Sequence, residues 1–166
     1  MRELRYAQAA LTRDYLRAGA GLLMSLLFLL LVRAGSVVSY LFLGFVATFG
    51  AFGLNICLKQ LTVIALDESG VARRFTGPVG KVLGEQRIPF ASIDQFRLRY
   101  FGRRRDRGRG IVELTIGGEG ARFTADQALE DFDALVRGAR GAAKAKGLTL
   151  DAVTEANLSA LGFSWN

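Results

Sequence analysis

The chain has 166 residues, with 22 Lys and Arg against 15 Asp and Glu, a formal net charge of +7, no histidine and one cysteine. A chain without histidine lacks the commonest general base and metal ligand. One cysteine cannot close an intrachain disulfide, and alone it builds neither a zinc finger nor a Cys–His nucleophile pair. The expectation is a protein that is not an enzyme and carries no cofactor and no metal.

Residues 1–16 form a basic arm with Arg2, Arg5 and Arg13. Two apolar runs follow. Ala18–Val32 lies between Arg17 and Arg33, and Gly35–Leu58 is closed by Lys59; neither run holds a charge. Backbone placed in hydrocarbon must satisfy its own polar groups, which a helix does. The second run, at 24 residues, exceeds the ~20 needed to cross a bilayer. The first has 15 and crosses if Tyr15, Leu16 and Ala34 join it while Arg17 and Arg33 snorkel. Residues 17–58 are therefore expected as a transmembrane helical hairpin turning near Gly35 and Ser36. The alternatives are two buried core helices or a cleaved signal peptide. Leu22–Leu31 leaves no polar face for the first. Arg33 and a second apolar run directly after the first fit the other poorly. The arginines of the arm, with Lys59, Arg73 and Arg74 after the second run, place both termini in the cytoplasm.

Small residues recur within the hairpin. Gly21 and Ser25 mark the first helix; Gly44, Ala47, Gly50, Ala51 and Gly53 mark the second. Such residues let helix backbones approach closely in lipid. The approach is either between the two helices or toward another copy or another membrane protein. Two helices without a buried charge do not make a transporter.

From Gln60 the period changes to two. Leu61–Leu66 and Val71–Phe75 read as strands around an Asp67-Glu68-Ser69-Gly70 turn. Lys81–Ile88, Ile93–Phe101, Ile111–Ile116 and Ala121–Phe123 complete about six antiparallel strands. Thr124-x-x-Gln127 reads as a capping box. It opens a helix lined by Leu129, Phe132, Leu135, Val136, Ala139 and Ala143 and stopped at Gly147. A short helix over Asp151–Leu161 should bury Val153, Leu158 and Leu161. Residues 59–147 thus make one α+β domain, and 148–166 a short helix and tail.

The two N-terminal spans resemble a known arrangement when taken with the turn at Leu66-Asp67-Glu68-Ser69-Gly70-Val71. So does the segment Arg87-Ile88-Pro89-Phe90-Ala91-Ser92-Ile93-Asp94-Gln95-Phe96 leading into a strand before a capping helix. Over residues 15–146 the chain is similar to the membrane-anchored bacterial pleckstrin-homology-like proteins. The resemblance implies an antiparallel curled β-barrel capped by a helix, a binding platform at the inner membrane rather than a catalyst. Eukaryotic pleckstrin domains bind inositides through the first hairpin loop, which is acidic here.

Phosphate-loop and dinucleotide signatures are missing around Gly80-Lys81 and Gly108-x-Gly110. Glu130, Asp131 and Asp133 sit where a helix start favours acids, against a reading as metal ligands. The sharp feature is Arg97, Arg99, Arg103, Arg104, Arg105, Arg107 and Arg109, seven arginines in thirteen residues with a single acid, Asp106. A guanidinium presents a planar donor fork suited to phosphate. Three readings are open: attraction to anionic lipid headgroups, a solvated loop that only sets topology, or an acidic protein partner. Nucleic acid is the less expected partner, since no nucleic-acid motif accompanies the charge. The functional expectation is a scaffold displayed at the membrane. The alternative is a small subunit or assembly factor acting through the Gly/Ala face of the second helix.

Overall fold

The computed structural model describes residues 1–31, 35–102 and 110–165. The chain divides into two compact units, one Tyr6–Leu61, the other Met1–Arg5 together with Thr62–Asn166. The architecture is α+β: two long apolar helices, and a domain built on two antiparallel sheets.

Helix α1 spans Gln8–Leu31 and α2 spans Val37–Leu61, 24 and 25 residues. The arm expected over residues 1–16 is therefore shorter, because α1 begins ahead of the apolar run. Its first turns carry the polar residues, including an Arg17–Asp14 ion pair at 3.2 Å. Gly35 turns the chain with φ 80°, a region that glycine enters without steric cost. The Ser36 hydroxyl oxygen then accepts the Ser39 N–H at 3.2 Å and caps α2. Leu11, Ala18 and Ser25, seven residues apart, are the buried positions of α1, the repeat of a left-handed helix pair. Across the seam the Tyr15 hydroxyl donates to Gln60 Oε1 at 2.6 Å, and the Phe28 and Phe42 rings stack at 4.9 Å. Most of the remaining apolar surface is bare: only 11% and 6% of the two apolar windows are buried. A core helix of a soluble protein buries most of such a surface. Both helices are long and apolar enough to cross a membrane.

The domain has seven strands among the described residues. β1 (Arg2–Arg5), β2 (Thr62–Leu66), β3 (Gly70–Phe75) and β4 (Gln86–Pro89) form one sheet in that order. β5 (Ile93–Phe101), β6 (Ile111–Gly118) and β7 (Ala121–Asp126) form the other. The strands thus fall into two ladders of four and three, not into a closed barrel. β1 is the strand that sequence periodicity does not reveal. Three of its four residues are charged, and Leu4 alone, 1% exposed, fills the core. It pairs antiparallel with β2 from Arg2↔Leu66 to Arg5↔Val63. The helical hairpin is therefore an insertion between two neighbouring strands of one sheet.

The strand expected over Lys81–Ile88 is only its last part. Gly77–Leu83 forms a short helix, α3. Pro78 sits in its first turn, where a missing N–H leaves nothing unpaired, and Gly77 and Gly84 bracket it with φ 67° and 70°. The expected capping box also does not form. Thr124 lies in β7, its hydroxyl 3.2 Å from that of cross-strand Thr115. The helix α4 runs Phe132–Ala145 after Asp131, which stands at φ 55°. The expected apolar face holds: Leu129, Phe132, Leu135, Val136, Ala139 and Ala143 are all buried. Gly147 ends the helix at φ 67°, with Leu148 N–H returning to the Ala143 carbonyl.

The final helix, α5, spans Ala152–Ala160, with the Asp151 carboxylate accepting the Thr154 N–H at 2.7 Å. Its buried residues are Thr154 and Leu158, while Val153, expected inside, is 62% exposed. α5 lies along the free edge of β5. There the Leu98 N–H donates to the Thr154 hydroxyl at 3.3 Å, and Asn157 Nδ2 donates to the Leu98 carbonyl at 2.8 Å. Two side chains thereby replace the pair of bonds a neighbouring strand would make.

Candidate functional site

The basic cluster belongs to the β5–β6 hairpin. β5 alternates, so Phe96 and Leu98 enter the core and Arg97 and Arg99 take the other face. The two arginines then part company. Arg97 Nε lies 3.6 Å from the Asp151 carboxylate and so serves the α5 cap. Arg99 stays exposed, opposite Glu113 in register. Arg103, Arg104, Arg105, Arg107 and Arg109 lie outside the described residues.

The described residues flanking that segment are apolar and open. Tyr100, Phe101 and Ile111 are exposed, and Phe101 faces Ile111 directly across the ladder. Gly102 and Gly110 leave room for the Tyr100 ring, since a Cβ at either would run into it. The expected strands Ile93–Phe101 and Ile111–Ile116 include these three residues, but their exposure side by side is visible only once the hairpin register is fixed.

The foot of the hairpin is tied to β1. Gln127 Nε2 donates to the Gly110 carbonyl at 2.7 Å, and the Gln127 N–H bonds the Val112 carbonyl at 3.0 Å. Three residues on, the Glu130 N–H donates to the Arg5 carbonyl at 2.8 Å. Asp131 pairs with Arg2. At most ~10 Å of extended chain therefore separates the two anchored positions, Gln127 and Glu130. Arg5 is the last residue of β1, and only Tyr6 and Ala7 stand between it and α1. The foot of the arginine segment and the last residue of β1 thus lie at one end of the domain.

The first hairpin loop is closed on itself. Asp67 Oδ1 accepts the Ser69 N–H, the Ser69 hydroxyl and the Gly70 N–H at 2.7–2.8 Å. Arg87 adds a contact to Asp67 Oδ2 at 3.2 Å. The Ser69 hydroxyl above all, with these N–H groups and Arg87, holds the Asp67 carboxyl below its ordinary range. This turn spends its donors on its own carboxylate.

The small residues of the hairpin divide in two. Gly21 packs against the Phe49 ring, where a Cβ would clash, and Ser25 is buried with its hydroxyl on the Gly21 carbonyl at 2.7 Å. Gly53 stands by Ala18 across the seam. Gly44, Ala47, Gly50 and Ala51 are off the seam and exposed, and a Cβ at Gly44 or Gly50 would meet nothing within 4 Å. No protein-family model, curated protein or solved structure matches this chain.

Proposed function

We propose that the chain is a two-span protein of the bacterial inner membrane with both ends in the cytoplasm. It holds a pleckstrin-like, non-catalytic platform against the bilayer, and its arginine-rich β5–β6 segment meets anionic headgroups. The observation that carries the reading is the pairing of β1 with β2, Arg5↔Val63, on either side of the hairpin. It keeps both ends of the hairpin in one sheet and so in one compartment, which an even number of crossings satisfies. Two residues separate β1 from α1 and none separates α2 from β2, so the links between the spans and the domain are short. The 127–130 bridge keeps the foot of the arginine segment at that same end. There each basic residue adds about 1 kcal/mol of attraction to an anionic surface. The pleckstrin-like reading of the domain rests on the sequence resemblance; the two antiparallel sheets followed by a helix agree with it only at the level of an α+β fold.

The test uses the full chain in lipid nanodiscs, with Cys57→Ala and a polarity-sensitive dye at Phe101→Cys. The dye is expected to move to a less polar environment with phosphatidylglycerol present, to lose that shift at high salt, and to lose it with Arg103, Arg104 and Arg105 changed to Glu. Identical spectra in neutral and anionic discs would remove lipid contact from the reading.

A second reading keeps its own support. Gly44, Ala47, Gly50 and Ala51 lie off the hairpin seam, so a partner helix could pack there. Widening Ala47 and Gly50 to Leu would abolish function under that reading and leave the lipid shift unchanged.

A further inference from the structure

The element that neither reading uses is α3. Its Val82 is 84% exposed and Leu83 54%, although a solvated seven-residue helix gains nothing from presenting two adjacent apolar side chains. Residues 76–84 contain Lys81 and no acid. The helix is fixed where it stands. Gly80 lies so close to the Phe75 carbonyl oxygen that a Cβ would strike it, which presses α3 onto the end of β3.

That end is set by register. Phe75, the last residue of β3, pairs with Thr62, the first residue after α2. Val63 beside it pairs with Arg5, the last residue of β1. α3 therefore projects from the end of the sheet where the chain comes in from α2 and leaves for α1. The Asp67–Gly70 turn closes the opposite end of the same two strands, ~17 Å away for a five-residue strand.

We propose that α3 is a third, non-spanning membrane contact, with Val82 and Leu83 in the boundary between headgroups and acyl chains and Lys81 against anionic headgroups. The proposal rests on the reading that α1 and α2 cross the bilayer. It adds an interfacial contact to the two spans.

The experiment is depth quenching on the full chain with Cys57→Ala. Single cysteines at Val82, Leu43 or Glu68 carry a fluorophore. The vesicles are phosphatidylcholine with phosphatidylglycerol, brominated near the carbonyl end of the chains. Loss of fluorescence is expected at Val82 and Leu43 and not at Glu68, and Leu83→Asp beside the Val82 label should restore the signal. Quenching at Leu43 without quenching at Val82 overturns this proposal and leaves the two spans intact. No quenching at Leu43 overturns both. Quenching at Glu68 as well overturns the assignment of the α3 end as the lipid-facing one.

Discussion

Asp151 shows how one side chain serves two elements. Its carboxylate takes the Thr154 N–H as the cap of α5 and faces Arg97 on β5. The Thr154 backbone N–H first, then the Thr154 hydroxyl and Arg97, hold its carboxyl below the ordinary range. A depressed carboxyl stabilises the fold above its unfolded pKa, and that contribution is lost as pH falls through the lower folded value. Asp151→Ala is expected to weaken α5 by about 1 kcal/mol and to flatten this acid dependence. Hydrogen exchange of the α5 amides between neutral and acid pH reads both effects. The sequence places a short helix over Asp151–Leu161 but does not single out the Asp151 cap, which the structure adds. Local reading fails at Thr124 and Gln127, which fit a capping box by type and spacing. Thr124 instead takes a cross-strand partner and Gln127 reaches Gly110, and no local pattern encodes either contact.

At the scale of elements, periodicity is informative where an element is long and one-sided. β5, β6 and the apolar face of α4 are legible for that reason. β1 is not, with one apolar residue in four; α3 is not, because Val79, Val82 and Leu83 suit a strand as well as a helix, and Pro78 with its bracketing glycines decides. The role of α5 is also hidden, since edge protection depends on what lies beside β5. Changing Thr154 to Val together with Asn157 to Leu leaves the Leu98 N–H and carbonyl unpaired. Destabilisation of about 2 kcal/mol is expected, with association through the bared β5 edge. Denaturant midpoints and light scattering measure the two, and Thr154→Ser, which keeps the hydroxyl, should behave as the parent.

For the whole molecule, the apolar runs are the most legible feature of the sequence and the sheet that joins their ends the least. The candidate site divides the same way: the arginine run is visible in the sequence, whereas the exposed apolar residues that flank it and the 127–130 bridge to β1 depend on tertiary register. Leu4 is the residue on which that joining turns. Leu4→Ala is expected to cost the domain about 2 kcal/mol or more while leaving insertion of the helices unchanged. Protease sensitivity of the domain, followed beside resistance of the chain to alkaline extraction, separates the two effects.

The placement of β1 ahead of the hairpin and β2 after it makes the sheet a record of topology. For a hairpin that crosses the bilayer, a chain with one helix inserted and the other stranded has residues 2–5 and 62–66 in different aqueous compartments. The first sheet then cannot be completed, the edge of β2 stays open, and the slot for Leu4 is empty. Such a chain presents unpaired backbone to proteases and chaperones. For a spanning hairpin, residues 2–5 would complete the sheet only once both crossings were made.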